Sequence, residues 1–346
     1  MEDISTSSPI ISVVMPTFNG EKFIAEAIES ILNQTFNDFE FIIVDDGSTD
    51  NTEKIIQSFS DKRIVYIKKI QNSGISDTLN KGISIAKGKY IARMDDDDIS
   101  LPNRFERQLE IFKIYSDLIV CGSLSYIKNS NKVNNLPQHH EDIKLNLLFN
   151  NCMLHPSVMI LKEVLLETKY DLNFVPSEDY DLWCRLIWKG KFYNIQEPLL
   201  KYRDHENSQT TKRRKEQLLK NVNIGLFMYE KLKLSTSKES AKYIEAFCAH
   251  DYSINGYKLK KLLLWFESVK VSNKENDIFD SLKFNKIVNI VLKRFVISYF
   301  MERKLKNKLF PFFFIEFGLF INTTYTYSSS SVNVLNTFTL LSNNVF

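Results

Sequence analysis

Over the first hundred residues, short β-rich apolar runs alternate with stretches of helical periodicity, and this alternation leaves few folds open to the chain. Residues 10–15 form a nearly continuous apolar run closed by Pro16, as expected of a strand covered on both faces. Phe23, Ile24, Ala27, Ile28, Ile31 and Leu32 then recur at helical spacing, with Asn19 placed to cap that helix. Residues 39–44 are a second apolar run, stopped by Asp45-Asp46-Gly47-Ser48. Helical patterning over 52–59 and 76–87 separates strand-like runs at 64–68 and 89–94. The order predicts an α/β fold with a doubly wound, mostly parallel sheet flanked by helices. In such sheets ligands bind outside the carboxyl ends of the strands. Pro16, Thr17, Phe18 and Asn19, then Asp45 to Ser48, then Asp95 to Asp98 all fall at those ends and should share one crevice.

Four consecutive carboxylates, Asp95, Asp96, Asp97 and Asp98, are expensive where a buried strand emerges. Each raises the pKa of its neighbours unless a cation neutralises them. The competing reading is a solvated acidic loop ahead of the helix that follows Pro102. The ten glycines contain neither G-x-G-x-x-G nor G-x-x-x-x-G-K-[ST], which disfavours a dehydrogenase or a P-loop enzyme. A diphosphate in this crevice would have its charge met by a divalent ion on the tetrad. Asp45 or Asp46 lies too early for the phosphates but could accept the N3–H of a uracil ring; the same residues also favour a tight turn. Apolar residues make up 44% and charged residues 25% of 346, enough for a substantial globular core. The net charge of +3 is too small to argue for nucleic acid. Cys121, Cys152, Cys184 and Cys248 lack metal-type spacing and read as reduced core thiols. With no basic, apolar leader before the first strand, a cytoplasmic location is expected.

The series Val13-Val14-Met15-Pro16-Thr17-Phe18-Asn19, Ser30-Ile31-Leu32-Asn33-Gln34-Thr35-Phe36 and Phe39 to Asp50 resembles the N-terminal half of the family 2 inverting glycosyltransferases, which have the GT-A fold. The likeness continues through Asn72-Ser73-Gly74, Leu79-Asn80-Lys81-Gly82-Ile83, Ala86 to Ile99 and Leu101-Pro102-Asn103-Arg104, roughly the first three-fifths of the chain in order. The resemblance implies a nucleotide-diphosphate sugar as donor, expected to be uridine-linked. It implies a D-x-D metal motif with Asp95 and Asp97 as its ends, holding Mn²⁺ or Mg²⁺. Pro16, Thr17, Phe18, Asn19, Asp45, Asp46, Asn80, Lys81, Arg93, Asp95 and Asp96 are expected on the donor side. This chain has Leu79 where many relatives carry an arginine, so Lys81 or Arg93 is expected to meet the diphosphate instead.

Inverting transfer also needs a base on the acceptor hydroxyl. Ser177-Glu178-Asp179-Tyr180-Asp181 opens the helical stripe Leu182, Trp183, Leu186, Ile187, which places its carboxylates in a first turn. Acidic residues at helix starts are ordinary stabilisers; here Glu-Asp-Tyr-Asp-Leu-Trp also resembles the family's Glu-Asp motif. That resemblance makes Asp179 the base and Glu178 its positioning partner. A helix-start carboxylate is expected to be a weak base. His155 and Trp183 are expected near the acceptor, a structural histidine being an equal reading of His155. His205, in Tyr202-Arg203-Asp204-His205, is a further metal-ligand candidate.

After Ser208 the chain becomes rich in Lys, Leu and Phe, which suggests a nucleotide-sugar-binding catalytic domain over 1–208 and a mainly helical region over 209–346. The apolar segment 309–321 is shorter than the roughly 20 residues a bilayer span needs. Together with Arg303, Lys304, Lys306 and Lys308 it suits either an interfacial anchor on anionic lipid or a core helix with a basic solvent face. The tail from Thr323 reads as loose. The combined expectation is a metal-assisted glycosyltransferase of surface-polysaccharide, lipopolysaccharide or capsule assembly at the inner face of the plasma membrane, acting on a glycan or lipid-linked acceptor. A sugar nucleotidyltransferase would need a glycine-rich basic loop, and residues 17–22 offer one Gly and one Lys. A non-catalytic nucleotide- or glycan-binding module is the third reading.

Overall fold

The structure is a computed structural model that describes residues 8–127, 130–203, 213–233 and 238–306. Two compact units divide the chain, residues 1–295 and 296–346. In the first, the expected alternation is present: β1 (Ile11–Thr17), α1 (Ile24–Leu32), β2 (Phe39–Asp45), α2 (Thr52–Gln57), β3 (Ile64–Lys68), α3 (Ile75–Ile85) and β4 (Tyr90–Arg93). There follow β5 (Ile99–Ser100), α4 (Arg104–Ile114), β6 (Leu118–Ile127), α5 (His140–Asn146), β7 (Met159–Leu161), α6 (Lys162–Thr168), α7 (Glu178–Leu186) and β8 (Lys191–Tyr202). The helical region comprises α8 (Arg214–Lys231), α9 (Lys238–Cys248), α10 (Gly256–Asn276) and α11 (Ser281–Lys306), whose last residues belong to the second unit. His205 and the segment 309–321 lie outside the described residues.

One eight-stranded sheet runs in the order β3-β2-β1-β4-β7-β6-β8-β5. The first four strands are parallel, while β7 pairs antiparallel with both β4 and β6. Strand β1 is buried along its whole length, which is why its sequence is apolar on both faces. Ile11, Val13 and Met15 pack with Phe41, Ile43 and the inner face of α1. On the other face α3 lies so close that a Cβ at Gly82 would fall 2.6 Å from a Val14 methyl. The expected cap of α1 is corrected: the helix starts after Phe23 with no side-chain cap, and the Asn19 Oδ1 accepts the Thr49 N–H at 2.9 Å. Asn19 has φ of +54°, a left-handed turn conformation that Asn tolerates, so its side chain is spent between two loops.

The carboxyl end of β4 is fastened from beneath by buried polar side chains of α4. Arg104 Nη2 donates to the carbonyls of Arg93 at 2.8 Å and Val158 at 3.1 Å, and its Nε donates to Gln108 Oε1 at 3.2 Å. Gln108 Nε2 in turn donates to the carbonyls of Cys121 at 2.7 Å and Ser157 at 2.8 Å. Burial, then repulsion from Arg93, lowers the Arg104 pKa to about 9. Gln108→Leu keeps the bulk but orphans two buried carbonyls and the Arg104 Nε. It should lower the unfolding free energy by about 2–4 kcal/mol, read as a smaller urea midpoint at unchanged slope.

Candidate active site

Strands β2 and β3 lie to one side of β1 and β4 to the other, so the sheet reverses its winding between β1 and β4. Thr17 ends β1 and the acidic tetrad follows β4. The two loops meet there: Thr17 Oγ1 donates to Asp96 Oδ2 at 2.5 Å. Loops after β1 and β2 are also joined, the Asn19 N–H donating to Ser48 Oγ at 2.9 Å. The three polar clusters therefore line one crevice, as the alternation predicted. Pro16 and Thr17 are buried in its floor, and Phe18 stands 47% exposed at its rim.

Asp45 and Asp46 form the tight turn. Gly47 has φ of +79°, a conformation that a side chain would strain. Asp45 Oδ1 accepts the Ser48 N–H at 2.7 Å and its Oδ2 the Tyr66 hydroxyl at 2.9 Å. Asp46 accepts the backbone N–H groups of Ser73 at 3.0 Å and Gly74 at 2.9 Å and pairs with Lys69 at 2.7 Å. Beside it opens a cleft of about 560 Å³ lined by Lys68, Lys69, Ile70, Gln71, Ser73 and Asp77. Asp46 thus ties together Lys69 and Ser73, two residues of the cleft wall.

The tetrad divides by partner. Asp96 turns to Thr17, and burial, reinforced by Asp97, pushes its pKa up to about 7. Asp95, Asp97 and Asp98 each offer a carboxylate oxygen, and the three oxygens lie within 4.8 Å of one another. Asp98 is fully buried; its Oδ1 accepts the Arg203 N–H at 2.9 Å, while its Oδ2 has no hydrogen-bond partner among the described residues. Burial raises its pKa well above the carboxylate range, and the charges of Asp95 and Asp97 add to this. Three clustered carboxylates, one with an orphaned buried oxygen, fit a hard divalent cation. Nothing in a run of four identical residues marks Asp98 as a third ligand, because its place at the end of the run does not reveal that it is the innermost of the four.

Arg93 is buried and ion-paired through Nη2 with Asp95. Its Nε and Nη1 have no hydrogen-bond partner among the described residues. Asn80 is turned elsewhere: its amide exchanges two hydrogen bonds with the backbone of Tyr170, at 2.9 and 3.0 Å. Lys81 is exposed on α3 and Leu79 is buried in the core.

Glu178 and Asp179 occupy the first turn of α7. The Asn151 amide donates to Asp179 Oδ2 at 2.7 Å, and Met153 N–H fixes that amide by donating to its Oδ1 at 3.0 Å. Burial raises the Asp179 pKa, opposed by the Tyr180 N–H and Arg93. The weak base expected from the helix start is therefore corrected in direction: desolvation outweighs the helix terminus. Glu178 is buried, its Oε2 has no hydrogen-bond partner among the described residues, and burial plus the neighbouring Asp179 push its pKa up to about 7. His155 Nε2 lies 2.7 Å from the Tyr170 hydroxyl, its ring edge-on to Trp183, and burial with Arg93 drives its pKa well down. His155 is thus a neutral, satisfied side chain in the wall between the two acidic centres. Asn151 and Tyr170 carried no sequence signal, because their partners lie in distant segments.

Protonated Glu178 holds its proton more tightly in the folded chain than in the unfolded one, whose value is near 4.5. The native state then binds more protons between pH 4.5 and 7, so stability falls as pH rises through that window. Urea midpoints of chelator-treated protein should decrease across it, and Glu178→Gln should flatten the decrease.

The glycosyl transferase family 2 model matches residues 12–168. An uncharacterised glycosyltransferase of Methanocaldococcus jannaschii, MJ1057, is 42% identical over 205 residues, covering 56% of this chain and 71% of its own. The chain belongs to glycosyl transferase family 2. A further relative, the Escherichia coli UDP-Glc:α-D-GlcNAc-diphosphoundecaprenol β-1,3-glucosyltransferase WfgD, is 31% identical over 178 residues, covering 51% of this chain and 70% of its own. Among solved structures, S. aureus TarS residues 1–349 with UDP-GlcNAc superposes with a TM-score of 0.57 at 18% identity, covering 84% of this chain and 89% of that one. That likeness establishes the GT-A architecture.

Proposed function

We propose that this glycosyltransferase moves a sugar, with inversion, from a UDP-sugar to a hydroxyl of a glycan or lipid-linked glycan during surface-polysaccharide, lipopolysaccharide or capsule assembly. It acts on the cytoplasmic side, at the inner face of the plasma membrane. What supports the reading is the presence of two acidic centres that share one buried arginine, Arg93. One is a carboxylate trio suited to a cation, the other a buried Glu-Asp pair, and both lie within electrostatic reach of Arg93. The UDP-Glc donor and diphosphoundecaprenol acceptor in the name of WfgD support the donor and acceptor classes.

Phe18 and the Asp45–Asp46 turn flank the uracil, with Pro16 and Asn19 shaping the loop and the Thr17–Asp96 pair below the ribose. Asp95, Asp97 and the adjacent Asp98 hold a divalent ion, which supplies Lewis-acid charge to the leaving diphosphate when bound. Arg93, whose Nε and Nη1 have no hydrogen-bond partner among the described residues, meets the same charge. On the opposite side Asp179 takes the proton of the acceptor hydroxyl in a single displacement. That hydroxyl becomes acidic only as the anomeric carbon gains oxocarbenium character, so the proton moves late. Burial makes Asp179 a stronger base than an exposed aspartate, and the Asn151 amide keeps its Oδ2 aimed. Glu178 orients Asp179 or a hydroxyl of the acceptor, against a wall that includes His155 and Trp183.

A panel of UDP-, GDP- and dTDP-sugars, with and without Mn²⁺, scored by released nucleotide, tests the reading. Turnover should need the metal and favour UDP-sugars. Metal-independent turnover of all three would overturn it.

A further inference from the structure

Helices α10 and α11 present a face that is left bare among the described residues. Its inner face is fully used: Trp265 of α10 meets Tyr229 of α8 edge-on at 5.0 Å, and Phe247 of α9 contacts Phe266 at 5.0 Å and Phe295 at 5.5 Å. A short link joins α10 to α11, and Lys270 Nζ donates to Asn289 Oδ1 at 2.7 Å, which brings the two helices together at that point. On α10 the exposed residues include Tyr257, Leu264 and Val271, spaced by seven so that they form one stripe. On α11 they include Leu282 and Ile290. Between these apolar side chains stand Lys260, Lys286, Lys293 and Arg294, all exposed, and half-buried Lys261.

Charge is concentrated here as well. Residues 256–295 carry nine Lys or Arg against four Asp or Glu, a net of +5 in a chain whose total is +3, so all other residues together are net −2. Lysine stems can lie along the apolar stripe while their ammonium groups reach outward, the pattern of an interfacial helix.

We infer that this outer face docks on the headgroup layer of an anionic bilayer. Leu264, Val271 and Ile290 enter the boundary with the acyl chains, and Lys260, Lys261, Lys286, Lys293 and Arg294 meet lipid phosphates. A second copy of the chain fits less well, because two faces of the same positive sign repel and lysines interrupt the apolar stripe. Nucleic acid fits less well because the cations are interleaved with exposed aliphatic side chains, which phosphates do not reward. The inference deepens the proposal of a lipid-linked acceptor and rests on it for its purpose, but the binding itself involves neither donor nor metal.

The test is co-sedimentation of the full chain with vesicles of phosphatidylcholine alone or mixed with phosphatidylglycerol. The parent should bind only the anionic vesicles and be released by salt. Lys286→Glu/Lys293→Glu/Arg294→Glu should weaken partitioning by on the order of 100-fold or more. Leu264→Ser/Ile290→Ser should weaken binding while leaving its salt dependence intact, and Lys54→Glu/Lys62→Glu, on the sheet domain, should bind as the parent does. Undiminished binding by the triple variant, equal binding to neutral vesicles, or no binding by the parent each overturns the inference. So does a dimer in light scattering that Leu264→Ser/Ile290→Ser dissociates. Transfer to a water-soluble acceptor, unchanged in the triple variant, keeps the fate of the catalytic reading separate.

Discussion

Asp179→Asn should lose transfer by about 10²–10⁴-fold, the usual contribution of a positioned general base, while binding UDP-sugar as tightly as the parent. The substitution removes the proton acceptor with almost no change of shape, and the single amide oxygen can keep one of the two hydrogen bonds that Asp179 accepts, from Asn151 and from the Tyr180 N–H. Because Asp179 stands on α7, apart from the tetrad after β4, donor affinity measured by calorimetry serves as the internal control. The parent's acid limb should lie above the ordinary aspartate value of 3.8, since burial raises the Asp179 pKa. Transfer by the variant at the parent's rate would sink the assignment, and a parallel loss of donor binding would mean that the residue shapes the pocket.

Asp97→Asn should act on the other half of the site. Metal stabilisation of a leaving diphosphate is worth several kcal/mol, so metal-dependent transfer should fall by roughly 100–1,000-fold. The second readout is thermal. In the parent, Mn²⁺ binding to the native state should raise the melting temperature, and in the variant that rise should shrink or vanish. Metal-free variant protein should be slightly more stable than metal-free parent, because one of four adjacent like charges has been neutralised. A variant that keeps both its Mn²⁺ shift and its transfer would show that the cation, if required, sits elsewhere.

The parallel half of the sheet was legible because each strand is buried on both faces and each following helix on one, and both conditions leave periodic traces in a single chain. β1, β2, β3 and β4 fall where apolar runs predict them. The crevice followed from the same pattern, since strand ends in such a sheet converge by topology. Side-chain duties were less legible. Asn19 looks like a helix cap from its neighbours but bonds Thr49, and Asn80 sits in a donor-type motif but clamps Tyr170. In both cases the preferred partner is 30 or more positions away, and local propensity cannot register it.

Asp95 to Asp98 read alike in one dimension, and what separates them is depth and direction. Asp96 faces Thr17, and Asp98 turns inward with one oxygen unpaired among the described residues. The basicity of Asp179 likewise depended on burial, which opposes the helix terminus that the sequence reveals. The order of apolar and polar residues by itself determined the winding of the sheet and the location of its crevice, because hydrophobic periodicity and the right-handed crossover leave little choice. Only the tertiary structure decided which carboxylates face one another, which are dry and which amides hold them, because those depend on distances and desolvation set by segments remote in the chain.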